Sequence, residues 1–152
     1  AMRNVIYLYA YRNQITIADR DLNIVGRSTT IDTISRAKLE IERDRRHNVR
    51  QFTKPPLFVN KNSAVYSNML FVHSAIPGRY EDDRIWKEAS IIDVYDLRDK
   101  SYVLSFGINN MEGKTVKSFT VHNDVLYALI GTNIIAYRLD SKITSKYLKE
   151  NE

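Results

Sequence analysis

Three stretches of this chain carry the same short pattern, and that recurrence limits the fold more than any other feature. The first runs Asn4-Val5-Ile6-Tyr7-Leu8-Tyr9, turns at Arg12-Asn13 and continues Gln14-Ile15-Thr16-Ile17-Ala18-Asp19. The second is Asn68-Met69-Leu70-Phe71-Val72-His73, followed later by Ser90-Ile91-Ile92-Asp93-Val94-Tyr95-Asp96-Leu97. The third is Asp124-Val125-Leu126-Tyr127-Ala128-Leu129, a turn at Gly131-Thr132-Asn133, then Ile134-Ile135-Ala136-Tyr137-Arg138-Leu139. Each opens with Asn or Asp, two apolar residues and an aromatic one (Tyr7, Phe71, Tyr127), and each is followed by a second short apolar strand. Short runs of β-branched and aromatic residues, separated by Asn, Asp or Gly that tolerate positive φ, predict antiparallel strands joined by tight turns.

The repeat has the physics of a four-stranded propeller blade. Nearly continuous apolar inner strands predict burial on both faces between neighbouring sheets. Residues 23–31 and 101–108 alternate more and fit wetter outer strands, while 57–67 and 114–122 fit innermost strands. The expected fold class is therefore all-β: about three four-stranded antiparallel blades forming a partial, half propeller. As a single unit the chain divides into blade one at about 4–31, an insertion at about 32–56, blade two at about 57–108, blade three at about 114–140 and a tail at 141–152. Blade one lacks its innermost strand and blade three its outermost. The tail, with Lys142, Lys146, Lys149 and Glu150, reads as solvated and frayed. Propellers close with ~4–8 blades, so three blades imply either half of a longer chain or assembly of copies. The expected partners are thus another protein or a second copy, bound through open blade edges.

Composition narrows the chemistry. The 152 residues suit one globular unit, and no apolar run approaches the ~20 residues of a membrane-spanning helix. The absence of cysteine excludes disulfides and thiolate metal sites. Net charge is +5, and residues 36–54 hold seven basic against three acidic side chains, or +4 of it.

That excess sits in the first insertion. Ala37, Leu39 and Ile41 alternate with charged residues as in a strand, although the residue types also suit a short helix over 34–43. Residues 44–54 read as a mobile basic loop. Arg43, Arg45, Arg46 and Arg50 form a candidate patch for an anionic partner, such as an acidic protein or a lipopolysaccharide-like surface. Nucleic acid is not expected there, because single strands need aromatic platforms among the cations and only His47 and Phe52 are at hand.

The second insertion, Pro77 to Lys87, joins two strands of one blade where a few residues would suffice. It holds the single tryptophan, and loops on a rigid scaffold are where binding resides. Arg79, Tyr80, Glu81, Asp82, Asp83 and Trp86 are the candidate ligand-binding residues, joined by His73 after the preceding strand. Three adjacent acids lack the spacing of a calcium loop and read as a solvated run, so no metal is expected. No His-Glu-x-x-His motif, nucleophile elbow or phosphate loop is present, and no catalytic residue or cofactor is assigned. His122-Asn123-Asp124, like Ser67-Asn68, reads as a turn, and Asp93 and Asp96 as turn caps near blade edges. The repeated aromatics read as packing between adjacent sheets.

The chain resembles the TolB-like six-bladed β-propellers, in particular the C-terminal half of an uncharacterised bacterial group of them. The residues that carry the resemblance are Thr30-Ile31-Asp32-Thr33, Pro55-Pro56-Leu57-Phe58-Val59-Asn60, Leu70-Phe71-Val72-His73-Ser74, Trp86 through Asp96, and Leu126-Tyr127-Ala128-Leu129-Ile130-Gly131. It implies a six-bladed ring in a full-length member and a periplasmic or cell-envelope location, and it carries over no catalytic residue. The function expected is a non-catalytic binding or protein-interaction module. The alternative is a carbohydrate-active enzyme, a lyase or glycosidase with acids at the propeller mouth.

Overall fold

The computed structural model describes residues 4–78 and 80–148. Within them the chain is all-β, with antiparallel sheets of two to four strands. It divides into two compact units, one through Asn60 and one from Lys61.

The first unit opens with β1 (Val5–Leu8), β2 (Gln14–Ala18) and β3 (Ile24–Thr29), paired in that order. Val5 faces Ala18 and Leu8 faces Ile15 across the first pair. The centre of β2 is the buried part, with Ile15 and Ile17 nearly inaccessible. Loops are tied to this sheet by side chains: Asn60 donates Nδ2 to the Tyr9 carbonyl at 2.9 Å, and Asn13 donates Nδ2 to the Asp32 carbonyl at 2.8 Å. Asp32 in turn accepts from the Thr30 hydroxyl and from the Ile34 amide.

The first insertion is not a mobile loop. It forms a two-stranded sheet of β4 (Ile41–Asp44) and β5 (Val49–Phe52); of residues 34–43, read as strand or helix, 41–43 are strand and 34–40 have no regular structure. The turn explains the difference. Asp44 accepts from the Arg46 amide at 2.8 Å and contacts His47 Nδ1 at 2.7 Å, while Asn48 takes a φ of 53° that asparagine tolerates. Valine and phenylalanine at the ends of the return segment then favour extension.

The second unit, from Lys61, contains the rest of β6 (Asn60–Tyr66) after its first residue, then β7 (Met69–Ser74), α1 (Asp83–Glu88), β8 (Ala89–Asp96) and β9 (Ser101–Asn109). The four strands form one antiparallel sheet in chain order. A three-stranded sheet follows, of β10 (Val116–His122), β11 (Val125–Ile130) and β12 (Asn133–Arg138), then α2 (Ser141–Thr144). The three blade-like sheets therefore hold three, four and three strands. The joins β6–β7 and β10–β11 are two-residue turns whose first residues, Ser67 and Asn123, sit at φ 54° and 53°.

One core joins the two sheets of this unit. Met69, Phe71, Ile92, Val94 and Ile108 pack with Val116, Val121, Leu126, Ala128 and Ile130. The Asn62 side chain donates to the Lys117 carbonyl at 2.7 Å, and the Val116 amide to Ser90 Oγ at 3.0 Å. The tail belongs to this core instead of fraying. Ile143 is 2 % exposed, Tyr147 packs edge-on to Tyr66, and the Leu148 amide donates to the Ser67 hydroxyl and the Asn68 side-chain oxygen. Lys149 and Glu150 lie outside the described residues.

Burial on both faces holds for β7 and β8, in which every residue is buried. It does not hold for β1, β11 and β12, where exposure alternates. The repeated aromatic follows suit: Phe71 is fully buried, whereas Tyr7 is 59 % and Tyr127 39 % exposed. Inter-sheet packing therefore accounts for Phe71 and not for all three.

Candidate functional site

The second insertion builds a cleft on the second unit's four-stranded sheet. Asp82 caps α1 by accepting from the Arg84 amide at 2.9 Å, with Asp83 in the first turn and Lys87 in the last. The far end of the helix is fastened to the end of β9, where the Asn110 amide donates to the Glu88 carbonyl and its side chain to the Lys87 carbonyl. This leaves a cleft of about 360 Å³ between the insertion and β9. Its walls are Tyr80, Ile85 and Trp86 from the insertion, Ile91 from β8, and Ser105 to Gly107 from β9. Glu81 and Asp82 line it as well.

Gly107 helps to keep the cleft open. A β-carbon there would lie 3.3 Å from the Ala89 β-carbon and 3.7 Å from Ile91 Cδ1. The register pairs Gly107 with Ile91, so a side chain at 107 would stand over the cleft floor.

The carboxylates around the cleft are engaged in holding it together. Glu81 Oε2 accepts from the Trp86 indole N–H at 2.6 Å and from the Gly78 amide at 2.8 Å. Asp82 accepts from the Arg84 guanidinium at 2.8 Å, and this hydrogen bond and the helix-end amide hold its carboxyl below the usual range. Asp83 does not line the cleft, and all three acids are exposed. Among the described residues no group of three or more His, Asp or Glu side chains converges as a metal site. Beside the floor, Ser105 donates to the buried Asp93 carboxylate, and the Tyr102 hydroxyl lies 2.8 Å from Ser105 Oγ. Asp93 is a mid-strand residue of β8, whereas Asp96 caps a turn: it accepts from the Arg98 amide, the Arg98 guanidinium and the Asn68 side chain.

Of the predicted ligand residues, the structure brings Tyr80, Glu81, Asp82 and Trp86 to one cleft. Arg79 lies outside the described residues. His73 is elsewhere: its partner on β8 is Ile92, on the opposite sheet face from Ile91. There it is 2 % exposed, and its Nδ1 has no hydrogen-bond partner among the described residues. Burial, with Lys61 nearby, pushes its pKa down to about 4. Ile85, Ile91, Ser105 and Gly107 were not singled out from sequence; the one available signal was a glycine interrupting the strand pattern of β9.

The four arginines of the basic patch lie on the β4–β5 hairpin and its turn. Arg43 and Arg50 face each other across the two strands, and Arg45 and Arg46 are in the turn between them. None of the four is ion-paired among the described residues, although Arg43 Nη2 donates to the Asn48 side chain at 2.6 Å. A second recess of about 290 Å³ lies on the first unit between Asn13, Gln14, Arg27, Ser28, Thr29 and Ser35.

Compared with family models, with curated proteins and with solved structures, the chain finds no match.

Proposed function

We propose that this chain is a non-catalytic binding module, a partial β-propeller of the TolB-like kind, that takes an apolar group in the cleft between α1 and β9. One observation carries the reading. The cleft has a mostly apolar wall, and the two acids that line it are hydrogen-bonded to its own loop and helix. Pockets of this size and lining bind apolar side chains or rings, with a few polar groups setting orientation. Glycoside cleavage needs two carboxyl groups facing one bond, and Glu81 and Asp82 are occupied by Trp86, Gly78 and Arg84. The likeness to propeller blades supports a partner, a second protein or a second copy, at the open sheet edges. A periplasmic or envelope setting follows from the resemblance alone.

Trp86 is the single tryptophan and lines the cleft, so its fluorescence reports occupancy directly. Titration of the full chain with indole, phenol and short aliphatic alcohols is expected to shift Trp86 emission saturably, and Gly107→Val to weaken the response at least tenfold. Turnover of an oligosaccharide, lost in Glu81→Gln or Asp82→Asn, would replace this reading with the enzymatic one.

A further inference from the structure

The β4–β5 hairpin has the makings of a docking arm. Its register is Ile41 opposite Phe52, Glu42 opposite Gln51, Arg43 opposite Arg50 and Asp44 opposite Val49. Residues two apart on a strand share a face, so Ile41, Phe52, Arg43 and Arg50 form one surface. Ile41 is 56 % and Phe52 51 % exposed, and no third strand pairs with the hairpin among the described residues. Two features of this arrangement oppose its own stability. A lone two-stranded hairpin is marginal in water, and like charges directly opposite each other repel. Both costs fall away where an anionic, partly apolar surface covers the face.

We propose that this face docks on a bilayer containing anionic phospholipids. Charge complementarity is the first argument: residues 36–54 supply +4 of the chain's +5. The Ile41–Phe52 pair is the second. A phosphate-rich groove of nucleic acid would meet the arginines but leave two large apolar side chains in water. A bilayer interface takes both, with guanidinium groups at the phosphates and apolar side chains at the acyl boundary. It also imposes no fixed shape, which suits an arm of two strands better than the preorganised contact of a specific protein interface.

The test is co-sedimentation of the full chain with phosphatidylcholine vesicles, with and without phosphatidylglycerol. Binding is expected only when the anionic lipid is present and should weaken with salt. Each basic residue at such a surface contributes a factor of roughly five, so Arg43→Gln with Arg50→Gln should lower binding roughly 25-fold. Phe52→Ser should weaken it severalfold at unchanged charge, and Arg20→Gln, an exposed change outside the hairpin, should leave it unaltered. All of these variants lie on exposed positions, and because Arg43 also donates to Asn48 in the turn, unchanged amide chemical shifts across residues 41–52 separate lost docking from a lost hairpin. Equal binding to both kinds of vesicle, or no effect of the Arg43/Arg50 pair, overturns the proposal. So does an effect of the arginines without one of Phe52, together with tighter binding to duplex DNA, which would identify a nucleic-acid arm.

Discussion

Strand β8 and the β4–β5 hairpin are both extended backbone, yet they are held for opposite reasons. All eight residues of β8 are buried, two hydrogen-bonded neighbours flank it, and Ile92 and Val94 reach into the core shared with β10–β12. In the hairpin every residue but Asp44 is exposed. What shapes it is turn chemistry: the Asp44 carboxylate on the Arg46 amide, Arg43 on the Asn48 side chain, and a left-handed Asn48. Burial fixes one element, and local hydrogen bonds bend the other. The element fixed by burial forms the floor of the cleft, and the element fixed locally is free to meet a surface.

The sharpest way to break this comparison is to cut the same side chain from each region. Phe71→Ala, on a fully buried ring paired with Val94, is expected to cost about 3–5 kcal/mol in urea unfolding. Phe52→Ala, on the exposed hairpin, should change stability by less than ~0.5 kcal/mol. Similar losses at both sites would mean that the hairpin is packed after all.

Histidine 73 sharpens the buried side. Its folded pKa of about 4 lies below the ~6.5 of an exposed imidazole because burial and Lys61 disfavour the charged form. The unfolded chain therefore binds the proton first as pH falls. Stability from this group is whole above pH ~6.5 and declines as pH drops toward about 4, by an amount on the order of 3 kcal/mol. His73→Leu should flatten that decline. Urea midpoints of wild type that hold steady across the interval would contradict it.

Asp96 is expected to give a smaller effect at lower pH. Burial raises its pKa, but hydrogen bonds from Arg98 and Asn68 outweigh burial and bring it to about 2. Its contribution is complete above the unfolded value of ~3.9 and is lost as pH falls toward about 2. Asp96→Ala leaves the Asn68 amide and the Arg98 backbone N–H without their acceptor, at about 2 kcal/mol at neutral pH. Thermal melts of the variant and wild type at pH 7 and pH 3 should converge on acidification.

Gly107→Val carries the least thermodynamic weight, about 1 kcal/mol from crowding against Ala89 and Ile91. Its main effect should be on the volume of the cleft, read as lost fragment binding with a retained urea midpoint.

Much of the fold was legible because its signals are local. The three repeats fell on β1–β2, β7–β8 and β11–β12, and Asn or Asp at their joins marked true turns, including the positive-φ Asn123. What sequence could not give was coverage. Leu8, Val72 and Leu129 sit in similar runs, yet only Val72 is fully buried, because burial depends on what lies across the sheet. The hairpin was missed because its charges masked two short strands, and the packed tail because its few anchors, Ile143, Tyr147 and the Leu148 amide, are scattered among lysines. At the cleft the insertion's share, Tyr80 and Trp86, was readable as an overlong connection. The floor was not, since Ile91, Ser105 and Gly107 join it only through the pairing of β8 with β9.

The central claim, an apolar binding cleft with no reaction in it, is tested most directly by amide chemical-shift mapping of the full chain. The probes are indole, phenol and cyclohexanol, set against a panel of short oligosaccharides whose integrity is followed in the same tubes. Saturable shifts confined to Tyr80, Ile85, Trp86, Ile91 and Ser105 to Gly107, with every oligosaccharide intact, are the predicted result. Shifts that avoid those residues, or a sugar cleaved during the titration, would contradict it.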